Sequence, residues 1–105
     1  MQAFELKERM FDNVVNGIKL ATLRKGDRNY DTGETVIVGT ERNRALLVTV
    51  SAINKFPLSE LTLDDARQEG YKCRQDLIDV MTEIYGELDD DQIVTQVWWN
   101  FTKEF

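Results

Sequence analysis

The segment TVIVGTERNRALLVTVSAI, residues 35–53, indicates the central feature of the fold. Two runs rich in β-branched residues, 35–40 and 45–53, flank the polar tetrapeptide ERNR. A short polar connection between two such runs is typical of a β-hairpin. The runs KLATLR (19–24) and IVTQVWWNF (93–101) also alternate in the manner of strands. The sequence therefore predicts a mainly antiparallel sheet built around a hairpin.

Helices are predicted on both sides of this strand-rich region. Residues 5–16 place apolar side chains three and four positions apart, which predicts a first helix. A second helix is predicted over 62–69, with Thr62 as its N-cap and acidic side chains in its first turn. Residues 74–85 carry the apolar stripe of a third helix. The order of helix, three strands, two helices and strand predicts an α+β fold, with the sheet curled into a small barrel that buries its edges.

The composition fits one globular domain over residues 1–105 and excludes several kinds of chemistry. The sequence has no histidine, so histidine triads and histidine metal sites are excluded. Its one cysteine, Cys73, cannot form an internal disulfide. The acidic run over 87–91 lacks the ligand spacing of a calcium loop, and we expect no metal and no cofactor. Because no apolar run has the length of a signal peptide or a membrane span, we expect a cytoplasmic protein with no membrane partner.

The net charge of −6 conceals an asymmetry along the chain. Residues 1–55 carry nine basic and seven acidic side chains, whereas residues 56–105 carry four and twelve. We therefore expect an anionic or nucleotide-like ligand to bind the first half.

Three polar residues at the start of the predicted strand 19–24 are candidate site residues, namely Lys19, Thr22 and Arg24. On a regular strand, Thr22 and Arg24 share one face and Lys19 lies on the other. Lys19 and Thr22 can therefore converge only if Lys19 lies in the loop before the strand, or if a bulge reorients it. Otherwise Lys19 is an exposed lysine and Thr22 a structural threonine.

Glu69 is the fourth candidate, because it lies at the C-terminal end of a predicted helix, where the helix dipole disfavours negative charge. It is either an exposed helix end or the partner of a basic residue. If that partner is Lys19, a carboxylate, an amine and the Thr22 hydroxyl share one site, which suffices for acyl transfer without histidine.

Trp98 is the fifth candidate. By alternation it shares the more polar face of the last strand with Gln96 and Asn100. It either packs under a helix or provides a surface on which a base can stack.

Four segments together resemble the ASCH domain, whose fold is a small PUA-like β-barrel with packed helices: NGIKLATLR (16–24), DTGETVIV (31–38), ARQEGY (66–71) and VTQVWWNF (94–101). Within that superfamily, the Lys-x-x-Thr-x-Arg arrangement is most similar to the small bacterial N(4)-acetylcytidine amidohydrolases. The resemblance implies that Lys19 is a catalytic lysine, Thr22 the nucleophile and Glu69 a catalytic glutamate. The substrate would then be a small nucleoside, with Arg24 and Trp98 as its candidate binding residues.

The resemblance implies attack of the Thr22 hydroxyl on the acetyl carbonyl, and this leaves two assignments of the other residues open. Lys19 can act as the base only if burial lowers its pKa, whereas an ionised Glu69 nearby would raise it. Either Lys19 stays charged and stabilises the oxyanion while Glu69 takes the proton, or Glu69 is protonated and donates to the leaving amine.

Two other functions remain open on the sequence. An RNA-binding or RNA-processing module would use the hairpin tips around Arg28 and Arg42, with Trp98 or Tyr30 stacking on a base. These tips belong to a basic cluster that also contains Arg24, Lys25 and Arg44. A regulatory adaptor would instead bind a basic partner through the acidic second half of the chain.

Overall fold

The computed structural model describes all residues, 1–105, and contains five strands and three α-helices. Single 3-10 turns lie at Glu8–Met10 and Leu58–Glu60. In chain order the main elements are β1 (Gln2–Leu6), α1 (Phe11–Val15), β2 (Ala21–Lys25), β3 (Gly33–Gly39), β4 (Ala45–Pro57), α2 (Leu63–Gln68), α3 (Arg74–Tyr85) and β5 (Ile93–Glu104).

The five strands form one mixed sheet in the order β1-β3-β4-β5-β2. The predicted hairpin is confirmed, since β3 and β4 pair antiparallel with Ile37 opposite Leu46. Strand β4 also pairs with β5 along most of its length, and the register shifts between Leu47 and Val48 and again between Val50 and Ala52. Such bulges increase twist and bend a strand. The sheet is accordingly a half-barrel, which confirms the predicted small α+β fold.

The first predicted helix, 5–16, is wrong in its first half. Residues Gln2–Leu6 form β1, which pairs parallel with β3, and only Phe11–Val15 is α-helical. Phe4 is buried in β1 while its neighbours are more exposed, which is the alternation of a half-buried strand. Because β1 pairs with β3 about 33 residues further along the chain, as in Gln2 opposite Thr35, no hairpin signal marks it locally.

The second and third predicted helices are confirmed as α2 and α3. Thr62 begins α2 with a capping box: its hydroxyl accepts from the Asp65 backbone N–H at 3.0 Å, and the Asp65 carboxylate accepts from the Thr62 N–H at 3.0 Å. None of the helices combines the length and apolar character required to span a bilayer.

The protein has two hydrophobic cores. The first core, between the sheet and α1, consists of Phe4, Phe11, Val14, Ile37, Leu46, Val48, Val50, Val97 and Trp99. The second core, where α2 and α3 cover β2 and the start of β5, consists of Leu23, Leu58, Leu61, Ala66, Leu77, Met81 and Val94.

The two edge strands, β1 and β2, are linked by a side chain. Arg24 of β2 donates from Nη2 to the carbonyl oxygen of Glu5 in β1 at 2.8 Å, and its guanidinium carbon lies 5.6 Å from the centre of the Phe4 ring. A side-chain bridge leaves more room between two strands than a backbone ladder does. The seam between β1 and β2 therefore lacks the backbone ladder that joins the other neighbouring strands of the sheet.

Replacement of Phe11 tests the first core. Phe11 is fully buried, so Phe11→Ala should remove its packing and leave a cavity, lowering the free energy of unfolding by about 3–5 kcal/mol. Urea denaturation measures this loss. The matched control is Leu63→Ala, because Leu63 is 45% exposed and its truncation should change stability by less than about 0.5 kcal/mol. Equal losses for the two variants would contradict this description of the core.

Candidate active site

A cavity of about 230 Å³ opens beside the β1–β2 seam. Its polar wall includes Lys19, Thr22, Arg24 and Glu69, and its apolar wall comes mainly from α3. Four of the five predicted site residues thus line one cavity. The remaining one, Trp98, is not among the lining residues.

Lys19 is held by its backbone in the loop that precedes β2. Its N–H donates to the Asn13 carbonyl at 2.9 Å, and its own carbonyl accepts from the indole N–H of Trp99 at 3.1 Å. The next residue, Leu20, donates its N–H to the Gln68 carbonyl at the end of α2, at 2.7 Å. This is one of the two arrangements that strand alternation required for Lys19 and Thr22 to converge.

Glu69 lies immediately after α2, as the C-cap residue of that helix. Gly70 then turns the chain with a φ of 91°, a conformation that favours glycine, and a Cβ at this position would lie 3.9 Å from Lys19 Cβ. The capping box fixes the start of α2 and this turn fixes its end. Together they direct Glu69 toward Lys19.

Lys19 and Glu69 form a buried pair. Lys19 Nζ lies 3.6 Å from Glu69 Oε1 and also donates to the Glu69 backbone carbonyl at 3.5 Å. The side chains are only 3% and 1% exposed, respectively. The other carboxyl oxygen, Oε2, is buried without a hydrogen-bond partner in the protein. A polar atom buried in this way is costly unless a ligand or a proton compensates it.

Burial shifts the two groups toward their neutral forms. The pKa of the Lys19 amine is lowered, chiefly because burial removes the water that stabilises the ammonium; Glu69 opposes this shift and Arg24 adds to it. The pKa of the Glu69 carboxyl is raised, again chiefly by burial, against the opposing charge of Lys19. Burial therefore moves both groups toward an uncharged amine beside a carboxylic acid, against the attraction between the two charges.

Arg24 lines the cavity while it bridges the seam. Its Nη2 is engaged by the Glu5 carbonyl, whereas its Nε is buried and has no hydrogen-bond partner in the protein. A guanidinium held by one nitrogen, with another donor unsatisfied, is suited to orient an acceptor group of a ligand.

The predicted substrate-binding residue Trp98 lies elsewhere. It is half-buried in β5, and its indole N–H donates to Oε1 of Gln96, two residues earlier on the same face, at 2.8 Å. Gln96 in turn donates to Asp65 of α2 at 3.2 Å. Trp98 therefore belongs to a chain of hydrogen bonds between β5 and α2, and it does not line the cavity.

Two tyrosines that were not predicted as site residues, Tyr71 and Tyr85, also line the cavity. The Tyr71 ring centre lies 5.9 Å from Lys19 Nζ, and burial is the main reason that the pKa of Tyr71 is raised to about 12. Tyr71 could have been identified from the sequence by its position directly after Glu69 and Gly70. Tyr85 could not, because a tyrosine in the apolar stripe of a helix is normally a core residue.

The basic residues considered for RNA binding do not form one patch. Arg28 lies in the loop that enters β3 and Arg42 in the turn that leaves it, so the length of the strand, about 20 Å, separates the two loops. Arg44 is engaged by Glu104 at 2.7 Å and by Asp12 at 3.0 Å. RNA binding through these loops stays a prediction. No group of three potential metal ligands is clustered in the fold.

Comparison with solved structures identifies the fold. An ASCH protein of Zymomonas mobilis matches 97% of this chain over 68% of its own length, with a TM-score of 0.71 and 15% identity. An ASCH domain of Lactobacillus crispatus JV V101 matches 95% of this chain over 79% of its own length, with a TM-score of 0.69 and 13% identity. The chain has the ASCH fold. A protein of Enterococcus faecalis V583 from the family DUF984 is also similar, with a TM-score of 0.79 and 11% identity over 99% of this chain and 77% of its own.

No family model matches the sequence, and no curated protein matches it either. At identities of 11–15% the likeness is one of fold. The fold by itself therefore does not specify a reaction, and the chemistry depends on the residues of the cavity.

Substitution of Glu69 by glutamine tests whether the buried pair is neutral. The pKa of the Glu69 carboxyl is raised in the folded state. The protein therefore loses stability as pH rises from about 4.5, because the carboxyl ionises in the unfolded chain while it keeps its proton in the folded chain. Glutamine removes this loss, and without the Glu69 charge the pKa of Lys19 is lowered further, which shifts stability with pH in the same direction. The melting temperature of Glu69→Gln should therefore rise relative to that of the parent between pH 4 and pH 8.

The control for this measurement is Glu60→Gln, which removes one carboxylate from an exposed position. If Glu69→Gln instead becomes less stable than the parent as pH rises, the pair is ionised in the folded protein, and the neutral assignment is wrong.

Proposed function

We propose that this protein is an amidohydrolase that removes an acyl group from the exocyclic amine of a modified nucleoside such as N(4)-acetylcytidine. One observation carries the proposal: a buried lysine–glutamate pair shares a small cavity with the Thr22 hydroxyl. A nucleophile, a base and an acid are the groups that histidine-free acyl transfer requires.

The lowered pKa of Lys19 supports its role as the base. The neutral amine takes the proton of the Thr22 hydroxyl as Oγ1 bonds to the acyl carbon, and the carbonyl oxygen becomes an oxyanion. Lys19 is then a buried ammonium, whose charge stabilises the oxyanion more strongly than it would in bulk water. In this assignment Lys19 acts first as the base and then, once protonated, as the group that stabilises the oxyanion.

The raised pKa of Glu69 supports its role as the acid. As the tetrahedral intermediate collapses, the bond between the acyl carbon and the exocyclic nitrogen breaks, and Glu69 gives its proton to that nitrogen. The nucleoside leaves with a free amine, while Thr22 carries the acyl group as an ester and Glu69 is a carboxylate.

Water completes the cycle. The Glu69 carboxylate takes a proton from a water molecule that attacks the ester, which restores the carboxylic acid. The second intermediate expels the Thr22 oxygen, which recovers a proton from the Lys19 ammonium. The carboxylic acid product leaves, and all three side chains return to their starting protonation states.

The size and walls of the cavity support a small planar substrate. Its volume of about 230 Å³ is below the roughly 300–1,000 Å³ of typical drug-sized sites, so it suits one nucleoside better than an oligonucleotide. Apolar α3 side chains and the rings of Tyr71 and Tyr85 provide surfaces against which a base can pack.

A hydrolysis assay with N(4)-acetylcytidine tests the proposal. Turnover to cytidine is expected in the parent, with losses of about 10²- to 10⁴-fold in Lys19→Ala and Glu69→Ala. Thr22→Ala should remove the nucleophile and abolish turnover, and Thr22→Ser should retain part of it. Trp98→Ala is the control outside the cavity and should stay active. Absence of turnover from folded parent protein would reject this substrate.

The pH dependence of kcat/KM separates the two assignments of Lys19 and Glu69. If Lys19 is the base, activity rises with pH along a limb below the ordinary lysine value of 10.5, because its pKa is lowered. If Glu69 is the acid, activity falls along a second limb above 4.5, because its pKa is raised. In Glu69→Gln the falling limb should disappear from the residual activity. A falling limb that survives in this variant would assign the acid to another group.

A further inference from the structure

The outer part of the cavity carries two cations that the proposed reaction does not use. Lys7 and Arg9 are exposed and line the cavity at the 3-10 turn between β1 and α1. The backbone fixes this turn, since the Met10 N–H donates to the Lys7 carbonyl at 2.9 Å. The residue between them, Glu8, accepts from the Asn43 N–H at 2.9 Å and is therefore engaged by the β3–β4 turn.

Neither cation has a carboxylate partner. The ion pairs of the protein involve only Lys19, Arg44 and Lys55 on the basic side. The cavity lining holds four basic side chains, Lys7, Arg9, Lys19 and Arg24, against two acidic ones, Glu5 and Glu69. In a chain with a net charge of −6, this is a local excess of positive charge.

The inner basic side chains, Lys19 and Arg24, are already engaged, and this leaves the outer two for a ligand. Lys19 is paired with Glu69, and Arg24 donates to the Glu5 carbonyl. The unpaired charge of Lys7 and Arg9 therefore acts on whatever part of a ligand lies at the cavity entrance. A ligand that matches the whole cavity has a planar part for the apolar wall and an anionic group for the entrance.

We infer that Lys7 and Arg9 form a phosphate subsite, and that the substrate is a nucleoside 5′-monophosphate that carries the acylated base. This inference rests on the proposed function for the reaction, but the subsite itself is defined by charge and position. Lysine and arginine are the usual partners of phosphate, and the dianion gains from both. A mononucleotide fits better than RNA, because the small cavity admits one nucleotide and the net negative protein repels a polyanion.

Binding of the expected products tests the subsite independently of hydrolysis. Cytidine and cytidine 5′-monophosphate are compared by titration calorimetry with the parent protein at low salt. The nucleotide should bind about tenfold more tightly, and the difference should shrink at high salt. Lys7→Gln/Arg9→Gln should remove the difference, whereas Glu5→Gln, which removes the carboxylate of the entrance, should increase it.

The matched control is Arg28→Gln/Lys103→Gln, which removes the same charge from exposed positions outside the cavity lining. Equal affinities for the two probes, binding of neither, or an equal loss in the control would overturn the subsite. Tighter binding of a 5′-phosphorylated oligonucleotide than of the mononucleotide would overturn the choice of a mononucleotide and favour an RNA end.

Hydrolysis of the acetylated nucleoside and of its 5′-monophosphate completes the test. A higher kcat/KM for the nucleotide, lost in Lys7→Gln/Arg9→Gln, is the expected result. If neither compound is hydrolysed while the nucleotide still binds more tightly than the nucleoside, the proposed function is rejected and the phosphate subsite is retained.

Discussion

The burial of Lys19 against Glu69 is the constraint on which the rest of the structure depends. Two ionisable groups inside a domain of 105 residues are costly, because each loses its hydration and the pair recovers only part of that loss. Their separation of 3.6 Å and the unpartnered Oε2 show that the pair is not optimised for stability. The free energy that is lost by burying this pair must therefore be offset by the two hydrophobic cores.

The division into two cores is what makes room for the pair. The first core lies between the sheet and α1, and the second lies under α2 and α3. The loop that carries Lys19 is bonded to Asn13 of α1 and through its neighbour to Gln68 of α2, so it connects the two layers. The cavity opens beside the seam that Arg24 bridges, where no backbone ladder fills the space. The polar atoms that line the cavity at this seam can therefore contact a ligand.

The elements that the sequence predicted well are those with local signals. Helix α2 was predicted from Thr62 and the acidic residues after it, because a capping box is formed within four residues. The β3–β4 hairpin was predicted for the same reason, since its strands are adjacent in the chain. Strand β1 was missed because its partner is distant in sequence and its pairing is parallel, so the helical spacing of the following residues dominated the pattern.

The sequence by itself determined the α+β class and the order of the elements after β1, the absence of histidine chemistry and the polar residues Lys19, Thr22 and Glu69 as candidates. Only the tertiary structure decided that these three line one cavity, that Trp98 lies outside it, and that burial favours the neutral forms of the lysine and the glutamate. The reason is physical: desolvation depends on every element that surrounds a group, and the surroundings of Lys19 come from parts of the chain up to 80 residues away.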